Sequence, residues 1–158
     1  MNADPVVMRH FPALMTQEES DAAVDRYLQQ LERDGFTMLA ATDRLSGEFL
    51  GVLGAQMMRF ELPNLSQPAV EIGWRLIAPA HGRGLATEGA RAVIDHLRKQ
   101  TNLREVVAIT TPDNNASQNV MRKLGMTERP ELTFDHPLIA ADSPQRRHVL
   151  YIVELARP

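Results

Sequence analysis

Residues 70–100, "VEIGWRLIAPAHGRGLATEGARAVIDHLRKQ", run from a strand pattern through a turn with two glycines into an amphipathic helix. The strand "AVEIGWRLI" is stopped by Pro79. The helix "LATEGARAVIDHLRKQ" carries Leu85, Gly89, Val93 and Leu97 on one ridge, with Ala86, Ala90 and Ile94 beside it. Glycine next to a helix is unfavourable unless the backbone needs positive φ or another group comes close. Gly82 and Gly84 stand where the strand has ended and the helix has not begun. Backbone N–H groups converge in such a turn, the helix dipole adds partial positive charge, and Arg83 adds a formal one. From this stretch alone two explanations stand side by side, an anion site and a tight strand-to-helix connection.

Two phosphate-binding folds are excluded. A nucleoside-triphosphate loop needs a lysine and a hydroxyl residue directly after its last glycine, and Gly84 is followed by Leu85 and Ala86. A dinucleotide fold needs G-x-G-x-x-G, and Gly89 falls too late to be the third glycine.

The rest of the chain supplies the frame. "TQEESDAAVDRYLQQLERDG" predicts a helix with a Thr16–Glu19 capping box and a Gly35 stop, and with Ala23, Tyr27, Leu28 and Leu31 at helical spacing. "FTMLAATD" and "EFLGVLGAQMMRF" predict two strands joined by the turn "RLSG", and "ELPNLSQP" predicts a loop. "REVVAIT" reads as a short apolar strand and "NNASQNVMRKLG" as a compact helix. The tail reads as two strands around a long loop, the last being "HVLYIVEL". No linker divides the chain, so residues 1–158 are expected to be one domain. Antiparallel strands followed by βαβ elements predict an α+β mixed sheet.

"VEIGWRLIAPAHGRGLATEGARAV" followed by "TTPDNNASQNVMRKLGM" resembles the GNAT superfamily of acetyl-CoA-dependent N-acetyltransferases, most of all its Rim-type branch of ribosomal-protein N-terminal acetyltransferases and their relatives. The resemblance covers nearly the whole chain. It implies a mostly antiparallel mixed sheet flanked by helices, with a splayed central strand pair. The family's pyrophosphate loop, Gln/Arg-x-x-Gly-x-Gly/Ala, corresponds to His81-Gly82-Arg83-Gly84-Leu85-Ala86, with His81 at the position of the usual Gln or Arg. The resemblance thus implies that Gly82, Arg83, Gly84, Leu85 and Ala86 bind coenzyme A, and Thr87 adds a hydroxyl at the helix start that is either a further coenzyme contact or ordinary first-turn stabilisation. It also implies direct attack of a primary amine on the thioester, with a backbone N–H near Leu76 or Ile77 polarising the acetyl carbonyl.

Ser117 and Asn114 lie on the second motif. Ser117 shares a helix face with Val120, Met121 and Leu124. The resemblance places it near the coenzyme sulfur, and a back-bond or cap is the purely structural alternative. Asn114 is either a coenzyme contact or an N-cap. Many family members carry a tyrosine as general acid where this chain has Met121. A thiol pKa near 8.5 makes the thiolate a fair leaving group without it. Glu71 shares a strand face with Gly73, Arg75 and Ile77, and is either a base acting through water or part of an ion pair. His136 and His148 are further candidates, although five scattered histidines more often mark surface, and no metal-ligand spacing occurs among them.

A net charge of −3 provides no footprint for nucleic acid or an anionic membrane. The absence of cysteine fits a reducing cytoplasm, and "MNADPVVMRHFPALM" contains no signal-peptide apolar stretch. Two functional readings follow: an N-acetyltransferase acting on a protein N-terminus or small amine, or a non-catalytic module of the same fold that binds an acyl-CoA or a partner protein. Family members typically begin with a strand about twenty residues ahead of "NADPVVMRHFP", so residues 36–42 are expected at a sheet edge, exposed in a monomer or paired across a homodimer.

Overall fold

The computed structural model describes residues 1–65 and 68–155. After an N-terminal segment of turns comes α1 (Gln17–Asp34), with the Thr16–Glu19 capping box formed and Gly35 ending the helix at φ 77°. β1 (Met38–Thr42) and β2 (Phe49–Met57) make the hairpin, and β3 (Val70–Leu76) pairs antiparallel with β2. The loop between β2 and β3 includes Ser66 and Gln67, which lie outside the described residues. α2 (Leu85–Gln100), β4 (Glu105–Thr110) and α3 (Asn115–Lys123) follow.

The tail differs from the two-strand expectation. It holds β5 (Thr127–Glu128), β6 (Phe134–Asp135) and β7 (Arg147–Glu154). Pro130 has no N–H for a ladder and opens a single 3₁₀ turn, which cuts the would-be strand in two.

The sheet order is β1-β2-β3-β4-β7-β5, with β6 against β7. All pairings are antiparallel except β3 with β4, which run parallel. The main core lies on the α2 face, where Val70, Ile72, Val106, Ala108 and Tyr151 pack against Ala90, Ile94 and Leu97. α2 approaches closely because Gly89 has no Cβ, which would collide with Leu53. A second cluster on the opposite face joins Val107, Leu150 and Ile152 to Leu62 and Leu65. α3 is anchored by Tyr151, whose hydroxyl accepts from Arg122 and meets Gln118 and Glu128. β1 is the edge strand, as the sequence predicts. No helix among the described residues is long and apolar enough to cross a membrane.

Candidate functional site

The site is built where β3 and β4 part. The two strands are paired only at Glu71 and Val107. Ile77 donates its N–H to Leu50 O at 2.9 Å, which fixes the alternation along β3: Ile77 faces β2, and Leu76 and Trp74 face β4. Beyond Ile72 the ladder to β4 has ended, so the N–H groups of Trp74 and Leu76 point into the gap. Of the two backbone donors expected from sequence, Leu76 remains and Ile77 is corrected: its N–H is already taken up in the β2–β3 ladder.

The turn after β3 exposes further donors. Gly82 and Gly84 adopt φ 72° and 83°, and a Cβ at either would meet nothing within 4 Å. Both glycines therefore serve backbone conformation beside open space rather than internal packing. Gly84 is the N-cap of α2 and provides no side-chain acceptor, and the first helical bond runs from Glu88 N to Gly84 O. The N–H groups of Leu85, Ala86 and Thr87 are thus left without helical acceptors. The side chains of Leu85 and Ala86 are partly buried against Leu50, Leu76 and Ala80. Arg83 is exposed and makes no hydrogen bond or ion pair among the described residues. This arrangement fits a pyrophosphate, because a fixed cradle of N–H groups stands at a helix N-terminus with an exposed cation beside it.

α3 begins at the end of β4 and brings a second helix N-terminus to the same gap. Asn114 is its N-cap: Oδ1 accepts from Ser117 N at 3.2 Å, and Nδ2 donates to Thr110 Oγ1 at 2.9 Å. Its side chain is thereby occupied at both ends, which is the structural one of its two expected roles. Ser117 is half-buried, and its hydroxyl has no hydrogen-bond partner among the described residues. The innermost residues of this helix are Gln118 and Met121, not Ser117, Val120 and Leu124, which are only partly buried. Met121 is enclosed in the core.

A pocket of about 530 Å³ adjoins the turn, lined by Gly84, Thr87, Glu88, Arg91, Asp95 and Lys123. Arg91 donates to the Lys123 carbonyl at 3.1 Å and joins the two helices. Sequence reasoning missed these two cations. The available signal was Arg91 standing one helical turn after Thr87, on the Gly84 face.

Glu71 lies on the other face of β3 from the α2 core, five residues before Leu76 and therefore about 16 Å along the strand. Burial pushes its carboxyl up to about 7. Its one partner among the described residues is Gln56, whose Nε2 donates at 3.5 Å. The ion pair offered as one of its roles is absent among those residues.

The histidines are not all scattered surface groups. His136 and His148 lie 5.0 Å apart between Phe60 and Phe134, and His148 is buried. Burial, with His148 and Arg59 nearby, pulls His136 down to about 4. A neutral imidazole that weak is poorly matched to take a proton at pH 7.

His81 is the other residue whose place sequence did not reveal. Its Nε2 donates to Leu76 O at 2.9 Å and braces the turn against the end of β3.

Comparison with known proteins follows the same lines. The family model described as an acetyltransferase (GNAT) domain matches residues 1–127. The uncharacterized protein YkkB of Bacillus subtilis is 30% identical over 123 residues, covering 78% of this chain and 69% of its own. The GNAT-family acetyltransferase of Bacillus anthracis superposes with a TM-score of 0.75 at 19% identity, covering 98% of this chain and 84% of its own. A RimL ribosomal L7/L12 α-N-protein acetyltransferase, solved in complex with coenzyme A, superposes with a TM-score of 0.69 at 22% identity, covering 89% and 74%.

Proposed function

The chain belongs to the GNAT family of N-acetyltransferases, and on that premise we propose that it moves an acetyl group from acetyl-CoA to a primary amine by direct attack in a ternary complex. The observation that carries this reading is the open turn Gly82–Thr87 at the end of a strand that has parted from its neighbour. Gly82, Gly84, Leu85, Ala86 and Thr87 hold the pyrophosphate through backbone N–H groups, and Arg83, Arg91 and Lys123 supply positive charge around it. Acetyl-CoA, when bound, supplies an activated thioester with a thiolate leaving group.

The Leu76 N–H stabilises negative charge developing on the acetyl oxygen. Ser117 offers its unengaged hydroxyl to the leaving sulfur, and Met121 leaves no phenol to compete for that role. Glu71, which about 16 Å of strand separates from Leu76, accepts the amine's proton through a chain of several waters. An α-amine, with an ordinary pKa near 7.7–8.0, suits so modest a base better than a lysine near 10.4. The reaction is placed in the cytoplasm, in keeping with a cysteine-free chain.

The test is incubation with acetyl-CoA and a panel of α-amines, peptides with free N-termini, and polyamines. Free thiol release and product mass are followed together. The reading expects a product 42 Da heavier with stoichiometric thiol (about one acetyl group per turnover). Coenzyme binding without transfer to any amine contradicts it.

A further inference from the structure

Arg75 stands on the face of β3 that also carries Glu71 and Gly73, next in the chain to Leu76. Its guanidinium is largely enclosed. Nη1 donates to Asn2 Oδ1 at 2.8 Å and approaches the Met15 sulfur at 3.8 Å. The Phe11 ring lies beneath Cζ, 4.1 Å from it to the centroid. Nε–H is buried without an acceptor, and Nη2 donates to nothing among the described residues. No carboxylate pairs with this charge among the described residues, although burial works against it.

Enclosed charges are normally paired, because an uncompensated one carries a large desolvation cost. Guanidinium remains charged in a protein, so it cannot escape that cost by losing its proton. The partners present offer one amide oxygen, one thioether and one aromatic face. They hold the group in place and leave it without a counter-ion.

The location says where a counter-ion would come from. One strand residue spans about 3.3 Å, so Arg75 is within a side-chain length of the N–H proposed to meet the acetyl carbonyl. The N-terminal segment that clasps Arg75 through Asn2, Phe11 and Met15 also reaches the residue that follows β4, where His10 Nδ1 lies 3.3 Å from Thr111 Oγ1. That segment spans the gap between β3 and β4 and leaves a fixed positive charge beneath it.

We propose that Arg75 recognises an anionic group of the acceptor, and that the preferred acceptor is a free α-amino acid, whose carboxylate sits one carbon from the reacting amine. This rests on the acetyl-transfer reading and narrows it. In a protein N-terminus the same position is a neutral amide, which offers Arg75 no charge. The amine nitrogen bonds to the acetyl carbon, the carbon–sulfur bond breaks, and the proton given up by the amine ends on the thiolate or bulk water. The carboxylate is unchanged and serves to place the amine.

The experiment pairs L-alanine, L-phenylalanine and L-methionine with their α-amides. Binding to the coenzyme A-loaded protein is read by calorimetry, and transfer by thiol release, in wild type, Arg75→Gln and Arg75→Lys. The acids are expected to bind about tenfold or more better than the amides. Arg75→Gln should raise KM for acids by about that factor and leave amides within roughly twofold, and Arg75→Lys should keep part of the preference. Coenzyme affinity, measured alongside, should stay unchanged. Equal use of acids and amides by wild type, or an equal loss for both in Arg75→Gln, overturns the proposal and reduces Arg75 to a clasp for the N-terminal segment. Preferential binding of acids with no transfer supports Arg75's role and contradicts acetyl transfer. Transfer to amides without acid preference sinks this inference alone.

Discussion

His81 Nε2 donates to the carbonyl of Leu76 across 2.9 Å, so the turn that would hold the pyrophosphate is tied to the residue whose N–H faces the gap between β3 and β4. A carbonyl only accepts, so the ring proton sits on Nε2. His81→Ala removes one partly exposed hydrogen bond and should cost about three- to tenfold in kcat/KM for acetyl-CoA, with little effect on stability. Steady-state kinetics check this, and unchanged kinetics mean the brace has no part in the reaction.

Ser117→Ala should lower turnover about ten- to a thousandfold if the hydroxyl reaches the leaving sulfur. Acetyl-CoA affinity should hardly move, because the Asn114 cap bonds the Ser117 backbone rather than its side chain. Full turnover in a folded variant assigns Ser117 to packing.

The Glu71 carboxyl, raised to about 7 by burial, has two consequences with opposite signs. As a base it must be ionised, so kcat/KM should rise with pH through about 7, and Glu71→Gln should flatten that limb. For stability, the folded state keeps a proton that the unfolded chain loses above its ordinary value. Glu71's contribution is therefore fully present below about pH 4.5 and is lost as pH rises to about 7. His136 acts the other way: its depressed value supports the fold above about pH 6.5 and is lost as pH falls through about 4. Thermal melts of Glu71→Gln against wild type at pH 5 and pH 8 separate the two, and a stability difference independent of pH contradicts the Glu71 assignment.

The edge strand makes an amide-by-amide prediction. Ala55 donates to Thr37 O, so Thr37, Leu39 and Ala41 face β2, and Met38 and Ala40 face outward. Hydrogen exchange in a dilute monomer should be slow at Leu39 and Ala41 and fast at Met38 and Ala40. Uniform protection would show that a second chain or another segment covers the edge.

Much of this architecture was legible because local signals agreed with the fold. The Thr16–Glu19 box, the Gly35 stop and the β1–β2 hairpin are each written within a few residues. The glycine turn was legible for the same reason, since positive φ leaves a residue-type mark. What stayed hidden depends on long-range geometry. That Ile77 is taken and Leu76 is free follows from the β2–β3 register, which shifts by pairing and not by composition. Asn2, Phe11 and Met15 meet Arg75 across sixty residues or more, and no local pattern announces such a contact. The His136–His148 pair forms only because β6 docks on β7 in the register Phe134↔His148.

Titration of coenzyme A into isotopically labelled protein, followed by backbone amide shifts, tests the central claim most directly. The account predicts that the largest shifts fall on Leu76 and on Gly82 through Thr87, and that Gly84→Val, which places a branched side chain at φ 83°, weakens binding about tenfold or more in a folded protein. Shifts confined instead to the apolar groove lined by Leu39, Leu53 and Val93, with coenzyme affinity intact in Gly84→Val, would contradict it.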